Sequence, residues 1–352
     1  MRARPVSVVA VLLIIGASAC SSDSAGSAES TVAETTTAPA TTAPATTAPA
    51  TTTTSTVPEV RPKTVTDLLA LERPIVLAHA GGEDEFPHST PYAFAQSAAA
   101  GVDMLDMDVL LTADGVLIVQ HDDTIDRTTE STGNIADMTY AQLEQLDNAY
   151  WFTDACVCKD QPESAYKYRG IRTGATPAPD GATPEDFVIP RFRDIVERFP
   201  DFPLNIEIKG NGAAANAAAD QLVKELTELG KLDAAVVTSF DDTVVAHVKE
   251  IAPSIELTPG LDLSTKWVLD GTPLPTGMRI LQVPIEYSGI QVITPELITN
   301  SHAAGYVIWV WPNDRRVENA DGYRSLLEQG LDGLNINYPA TGVQAVADFI
   351  DS

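Results

Sequence analysis

The sequence predicts an α/β fold, a (β/α)8 TIM barrel with a long rim insertion, preceded by a signal peptide and a disordered linker. Three observations point there. Short apolar runs alternate with stretches of helical periodicity from residue 64 to residue 352, the pattern of repeated strand–helix units. The repeat runs long enough for eight such units, with a doubly wound open sheet as the second choice. His79, Asp106, Asp108, His121, Glu207, Lys209 and Trp311 all fall near the C-terminal ends of predicted strands, the end that carries the chemistry in a barrel of this kind.

Composition narrows the function classes. With 44% apolar residues among 352, the chain can bury a core of ordinary size. Its 49 acidic against 22 basic residues, a net charge of -27, repel nucleic-acid phosphates and anionic lipid heads. Nucleic acid is therefore excluded as a partner, and phosphate chemistry would call for a screening cation. Three cysteines are too few for a disulfide-stapled scaffold.

Arg2 and Arg4, an apolar run over 6–15 and small residues up to Ala19 read as a signal peptide over residues 1–19 rather than a membrane span. The small residues ahead of Cys20 resemble the lipobox of bacterial lipoproteins. That resemblance implies acylation of Cys20 and an exported protein on the outer face of the plasma membrane, in the cell envelope, touching membrane through its lipid anchor only. A plain secretory signal is the alternative. Residues 20–62 are a Thr/Ala/Pro-rich spacer with Ala-Thr-Thr-Ala-Pro repeating between Ala38 and Ala50. No core forms from that composition, and at roughly 3 Å per residue the stretch reaches up to ~100 Å. Residues 63–352 are the barrel domain.

Within it, apolar runs predict strands at 75–79, 104–110, 117–121, 204–208, 235–239, 256–258, 281–284, 307–311 and 333–336. Helical periodicity, several times opening at Asp, Pro or Glu and closing at Gly, predicts helices at 91–100, 216–229, 241–251, 295–304 and 323–329. Ala113-Asp114-Gly115 marks a hairpin joining the 117 run to the strand before it. Residues 148–189 form a long insertion rich in aromatics, among them Tyr150, Trp151, Phe152, Tyr166 and Tyr168. Long rim loops select substrates, so these aromatics are expected at the rim. Cys156 and Cys158, one residue apart inside the insertion, either close a small-ring disulfide or stay free, the bond being favoured in an oxidising compartment.

His79-Ala80-Gly81-Gly82, Pro87-His88-Ser89-Thr90 and Ala93-Phe94 resemble the opening signature of the glycerophosphodiester phosphodiesterase family. Gly101 to Val109 resembles its metal-ligand strand, and His121-Asp122-Asp123-Thr124-Ile125-Asp126-Arg127-Thr128-Thr129 its second-histidine segment. Asn205 to Lys209, Trp309 to Asn313 and Asp332 through Pro339 continue the likeness across nearly the whole domain. The resemblance implies a barrel hydrolase, holding one divalent cation, Ca or Mg, that splits a small glycerophosphodiester into glycerol 3-phosphate and an alcohol; no protein partner is expected.

The residues themselves agree with that chemistry. A phosphodiester anion needs a hard cation, which takes oxygen ligands. Asp106 and Asp108, two apart on a strand, face one side, and Glu207 comes from another strand. His79 and His121 suit the base and the acid, in that order as a first assignment, because imidazole titrates in the working range. The attacking oxygen is either water or the substrate's own hydroxyl. Lys209 shares the face of Glu207 and can clamp a phosphate oxygen, and Trp311 offers a flat wall. His88, close to the site, either contacts substrate as a replacement positive charge or only holds its loop. Five positions depart from the family pattern: Ala80 replaces an arginine, His88 and Ser89 replace Glu-Asn, Asp106 replaces a glutamate and Asn337 an aspartate. Two further classes stay open. One is a phosphodiesterase of lipid or cell-wall polymer substrates; the other is a catalytically silent binding lipoprotein on the same fold.

Overall fold

Nine strands build the main sheet, and their side-chain parity decides what reaches its interior. They are β1 (Ile75–Ala78), β2 (Met104–Leu111), β3 (Leu117–Val119), β4 (Leu204–Ile208), β5 (Ala235–Thr238), β6 (Glu256–Leu257), β7 (Ile280–Pro284), β8 (Val307–Trp311) and β9 (Gly333–Ile336). The computed structural model describes residues 61–352, apart from Ala155 and the side chain of Cys156. The expected signal peptide, Cys20 and nearly all of the spacer lie outside the described residues. Among the described residues, no helix is long and apolar enough to cross a membrane.

Eight strands run parallel in the order β6-β5-β4-β2-β1-β9-β8-β7, each beside its chain neighbour, while β3 pairs antiparallel with β2. The order is that of a TIM barrel, closed except at one seam. There β6 and β7 stand at the two ends of the order, and Arg279 Nη2 meets Glu256 Oε2 at 2.5 Å across it. Arg279 is about half exposed, so the pair is screened and adds under about 1 kcal/mol. Closure depends instead on the apolar layers inside and outside the strands.

Successive residues point to opposite faces of a strand. In β2, Leu105, Met107 and Val109 join the large outer core under the helices, while Met104 joins an inner cluster with Ile75, Leu77, Val236, Ile280 and Trp309. The inner cluster is the barrel floor, plugged from below by Val65 and Leu68 of the short helix Val65–Leu69. Above Met104 the same parity brings Asp106 and Asp108 into the lumen. Trp309 needs space on that floor, and Gly333 provides it: a Cβ there would lie 2.6 Å from Trp309 Cδ1.

The sequence-based strands match, with ends shifted by up to two residues. The largest shift is at β3, which stops at Val119 rather than residue 121. Helices Pro91–Ala100, Gly212–Glu228, Asp242–Ile251, Pro295–Ala303 and Ala320–Glu328 cover the five expected ones. Phe192–Arg198, Leu261–Asp270 and Pro339–Ile350 went unread. Only Trp267 is buried in Leu261–Asp270, and Pro339–Ile350 buries Pro339, Gly342, Ala345 and Val346, mostly small residues.

The insertion departs from expectation. Its aromatics do not line the rim pocket. Phe152, Tyr168, Ile171 and Phe187 form a separate cluster against Tyr92 of helix Pro91–Ala100, with Tyr92 and Phe187 stacked at 4.9 Å. Tyr150, Trp151 and Tyr166 surround the Arg169 guanidinium at 4.3, 4.5 and 3.7 Å. Mutual packing and cation–π contact account for these rings without a substrate. Cys158 is disulfide-bonded. The Cys156 side chain, its expected partner, lies outside the described residues.

Because the floor has no spare volume, Gly333→Ala should destabilise the domain by about 1–3 kcal/mol in urea unfolding. Adding Trp309→Ala should cost less than the sum of the two single changes.

Candidate active site at the barrel mouth

A cavity of about 440 Å3 opens at the C-terminal ends of the strands, lined by His79, Asp106, Asp108, His121, Glu207, Lys209 and Trp311 among others. All seven residues drawn from strand ends therefore meet in one place. His121 arrives by a different route than expected. It follows β3, whose antiparallel run returns the chain downward until Gln120 N donates to Asp108 O at 3.0 Å. The hairpin thus lowers His121 to the rim. The rings of His79 and His121 meet edge to face, 5.3 Å between centroids. His88 does not reach the cavity wall: it is buried at 1% exposure, 6.1 Å from the His121 ring, with Nδ1 against Ser89 Oγ. Burial, with Arg127 nearby, lowers its pKa to about 3, so His88 is a neutral prop and not a surface cation.

Register brings the carboxylates together. In the parallel pair of β2 and β4, Asp108 lies opposite Glu207 and Asp106 opposite Asn205. Asn205 Nδ2 donates to Asp106 Oδ1 at 2.5 Å, and the backbone N–H of Ala80 donates to Asp106 Oδ2 at 3.2 Å. Ala80 is buried with φ +47°, a left-handed conformation uncommon outside glycine, so it contributes its N–H rather than a side chain. Lys209 Nζ sits 2.9 Å from Asp108 and 3.2 Å from Glu207. Burial pushes Asp106 and Glu207 above the usual carboxylate range, offset only in part by His79 at the first and Lys209 at the second. At Asp108 burial is outweighed by Lys209, His121 and His79, which hold the carboxyl low.

Asp108 Oδ2 is buried and has no hydrogen-bond partner. An oxygen of this kind, beside two more carboxylates and a single lysine, fits a hard divalent cation. Asp106, Asp108 and Glu207 are the residues that would hold it. A second set exists: ligand atoms of His79, Glu83 and His121 all lie within 4.8 Å of one another. There Arg127 Nη1 already donates to Glu83 Oε1 at 2.6 Å, and a cation would have to compete with that guanidinium.

Glu83 and Arg127 had no role assigned from sequence. Arg127 grips Asp122 through Nε at 2.7 Å and Nη2 at 2.9 Å, and Asp122 in turn meets His121 Nδ1 at 2.8 Å. Glu83 Oε2 lies 3.2 Å from His79 Nδ1. One guanidinium thereby orders the carboxylates behind both histidines. The only sequence signal was position within the two matched motifs. Burial lowers the His79 pKa, but the Glu83 hydrogen bond and charge, then Asp106 and Asp108, lift it to about 10. Asn205, Gln282, Asn335 and Asn337 add to the polar lining; Gln282 and Asn335 had no role assigned from sequence.

Facing imidazoles beside carboxylates fitted for a cation, at the mouth of a TIM barrel, are the equipment of a phosphoester-cleaving enzyme. Known proteins narrow the class. Residues 79–341 match the glycerophosphoryl diester phosphodiesterase family, and the chain belongs to it, a family of phosphoric diester hydrolases. It is similar to a glycerophosphodiester phosphodiesterase of Caldanaerobacter subterraneus subsp. tengcongensis, 26% identical over 274 residues, covering 77% of this chain and 97% of that protein. Among solved structures, a glycerophosphoryl diester phosphodiesterase from Silicibacter pomeroyi superposes with a TM-score of 0.61 at 21% identity, covering 79% of this chain and 95% of that one. An Oleispira antarctica phosphodiesterase in complex with the product sn-glycerol-3-phosphate gives 0.59 at 21% identity, covering 80% and 98%.

In chelator-treated protein, His79 should titrate by NMR near pH 10, and Glu83→Gln should bring the midpoint toward 6.5. A folded pKa above the unfolded one stabilises fully below pH 6.5. Stability from this group should therefore fall as pH rises from 6.5 through 10, and less steeply in Glu83→Gln.

Proposed function

We propose that the domain hydrolyses small glycerophosphodiesters to sn-glycerol 3-phosphate and an alcohol, using one divalent cation, Ca or Mg, held by Asp106, Asp108 and Glu207. One observation carries this reading: two facing imidazoles and an under-neutralised set of carboxylates share one cavity. The Oleispira relative, with sn-glycerol-3-phosphate in its structure, supports the product class. When bound, the cation supplies charge to screen the phosphate.

The chain's own groups handle protons. Glu83 lies outside the proposed cation set and makes the largest contribution that raises the His79 pKa. The Glu83 hydrogen bond and charge favour the protonated imidazole, the form that suits the acid protonating the leaving alcohol. His121, its Nδ1 held by Asp122, takes the base role. That reverses the order expected from the sequence. Lys209 lies at the same mouth to meet a non-bridging phosphate oxygen, and Trp311, 6.2 Å from the ring of Phe240, forms an apolar side wall for the alcohol. Phe240 is 49% exposed. This wall favours, as a second reading, phosphodiesters whose alcohol portion is lipid.

The test is release of sn-glycerol 3-phosphate from glycerophosphocholine and glycerophosphoglycerol. Product should disappear with chelator, return with Mg or Ca, and fall by about 100-fold or more in His79→Ala and Asp108→Ala. Turnover of lysophospholipid or wall-polymer phosphodiesters alone would favour the second reading. No turnover of any by folded protein would leave a binding lipoprotein. Metal retention lost in Glu83→Gln but kept in Asp108→Ala would place the cation at the histidine set instead.

We further propose export and anchoring by an acyl chain on Cys20, with the 20–62 segment as spacer and the membrane touched only through that lipid. Cells fed an alkynyl fatty acid should label the wild-type protein and not Cys20→Ala; equal labelling would refute the anchor.

A further inference from the structure

We propose that Asp84 is a positioning residue for His79, acting through the side-chain amide of Asn337. This rests on the reading of His79 as a proton-transfer group. Asp84 is buried at 1% exposure and meets two residues of the cavity lining through its carboxylate, Asn337 and Arg315. Its Oδ2 accepts from Asn337 Nδ2 at 3.0 Å, while Asn337 Oδ1 stands 2.9 Å from His79 Nδ1. The two contacts are linked by chemistry. An amide presents a donor at one end and an acceptor at the other, and its orientation follows from its partners. An ionised carboxylate only accepts, so Asp84 obliges Asn337 to aim its N–H there and its oxygen at His79. His79 must then donate from Nδ1, which leaves Nε2 as the nitrogen for the cavity.

The surroundings maintain this state. Arg315 Nη2 lies 2.9 Å from Asp84 Oδ1, a counter-charge that opposes the burial raising the Asp84 pKa. Asn337 cannot retreat, because its backbone N–H donates to Glu318 Oε2 at 3.1 Å and Glu318 is held by the Tyr323 hydroxyl. Glu83 is a second acceptor at His79 Nδ1, 3.2 Å away, but it belongs to the same tight turn as His79 and shares its other oxygen with Arg127. Asn337 fastens the ring to β9, a different strand.

Removing the charge frees the amide. In Asp84→Asn, Asn337 can turn its NH2 toward His79 Nδ1–H, placing two donors face to face. The double exchange Asp84→Asn/Asn337→Asp rebuilds the pattern: the new amide donates to the new carboxylate, which accepts from His79. With glycerophosphocholine, Asp84→Asn should lower kcat about tenfold with KM within about twofold, and the double exchange should recover most of the loss. Asn337→Asp alone, with two carboxylates in contact, should be worse than the exchange.

The second readout needs no turnover. The His79 Nδ1–H resonance of 15N-labelled protein should shift in Asp84→Asn and move downfield in the exchange, where a charged acceptor replaces an amide oxygen. An unchanged resonance in Asp84→Asn overturns the proposal, as does an exchange no more active than Asp84→Asn. Should Asp84→Asn fail to fold, the exchange against Asn337→Asp decides by the same criteria. If wild type turns over no glycerophosphodiester, the proposed function fails while the resonance still judges the role of Asp84.

Discussion

Excess negative charge in a desolvated lumen governs this structure. Asp106, Asp108 and Glu207 share a buried space with one lysine, and buried carboxylates are costly unless hydrogen-bonded or paired. Much nearby is arranged around them. Asn205 and the backbone of Ala80 donate to Asp106, Lys209 bridges Asp108 and Glu207, and the charges of Asp106 and Asp108 add to that of Glu83 in raising the His79 pKa. One oxygen of Asp108 is left without a partner even so. A domain selected only for stability would have no reason to keep that residual demand for positive charge, whereas an anion-cleaving site does.

The histidines are held by a second, separate set of charges. Arg127 joins Asp122 and Glu83, so the segment after β3 and the turn after β1 are tied by one guanidinium. Beneath them lies a buried polar net in which Gln120 and Thr128 meet the Asn148 amide, which donates onward to Ser89 O at 3.3 Å. The insertion starts at Asn148. Its role near the site is thus to buttress the loops that carry His88 and His121, while its aromatic rings pack on one another and on helix Pro91–Ala100. The cavity wall carries Trp311 and Phe240 in place of those rings.

Backbone strain is concentrated at the same turn. Ala80 and Ser89 both take positive φ without being glycine, and Ser89 N donates to Ala80 O at 2.7 Å. Such conformations persist where the surroundings impose them. Here the two strained residues brace one another between His79 and His88, turning the chain so sharply that Glu83 and Asp84 fold back toward the histidine.

The choice of barrel over a doubly wound sheet is settled by the strand order. The repeating apolar runs were enough to read the strand–helix units, because strand and helix periodicities are local and each is written in a dozen residues or fewer. The same holds for the lumen-facing acids: period two on one strand brings Asp106 and Asp108 to the same side, and the matched motifs singled out His79, His121, Glu207 and Lys209. Leu261–Asp270, in which only Trp267 is buried, escaped. Tertiary structure alone decided the pairings. That Glu207 stands opposite Asp108 depends on the register of strands about 100 residues apart. That His121 descends on a hairpin, that His88 lies behind the wall, and that Asn337 faces His79 from 258 positions away depend on contacts with no local signature. An asparagine or arginine looks alike in sequence whether it coats a surface or orients a buried imidazole, and only the closing of the barrel brings its partner within reach.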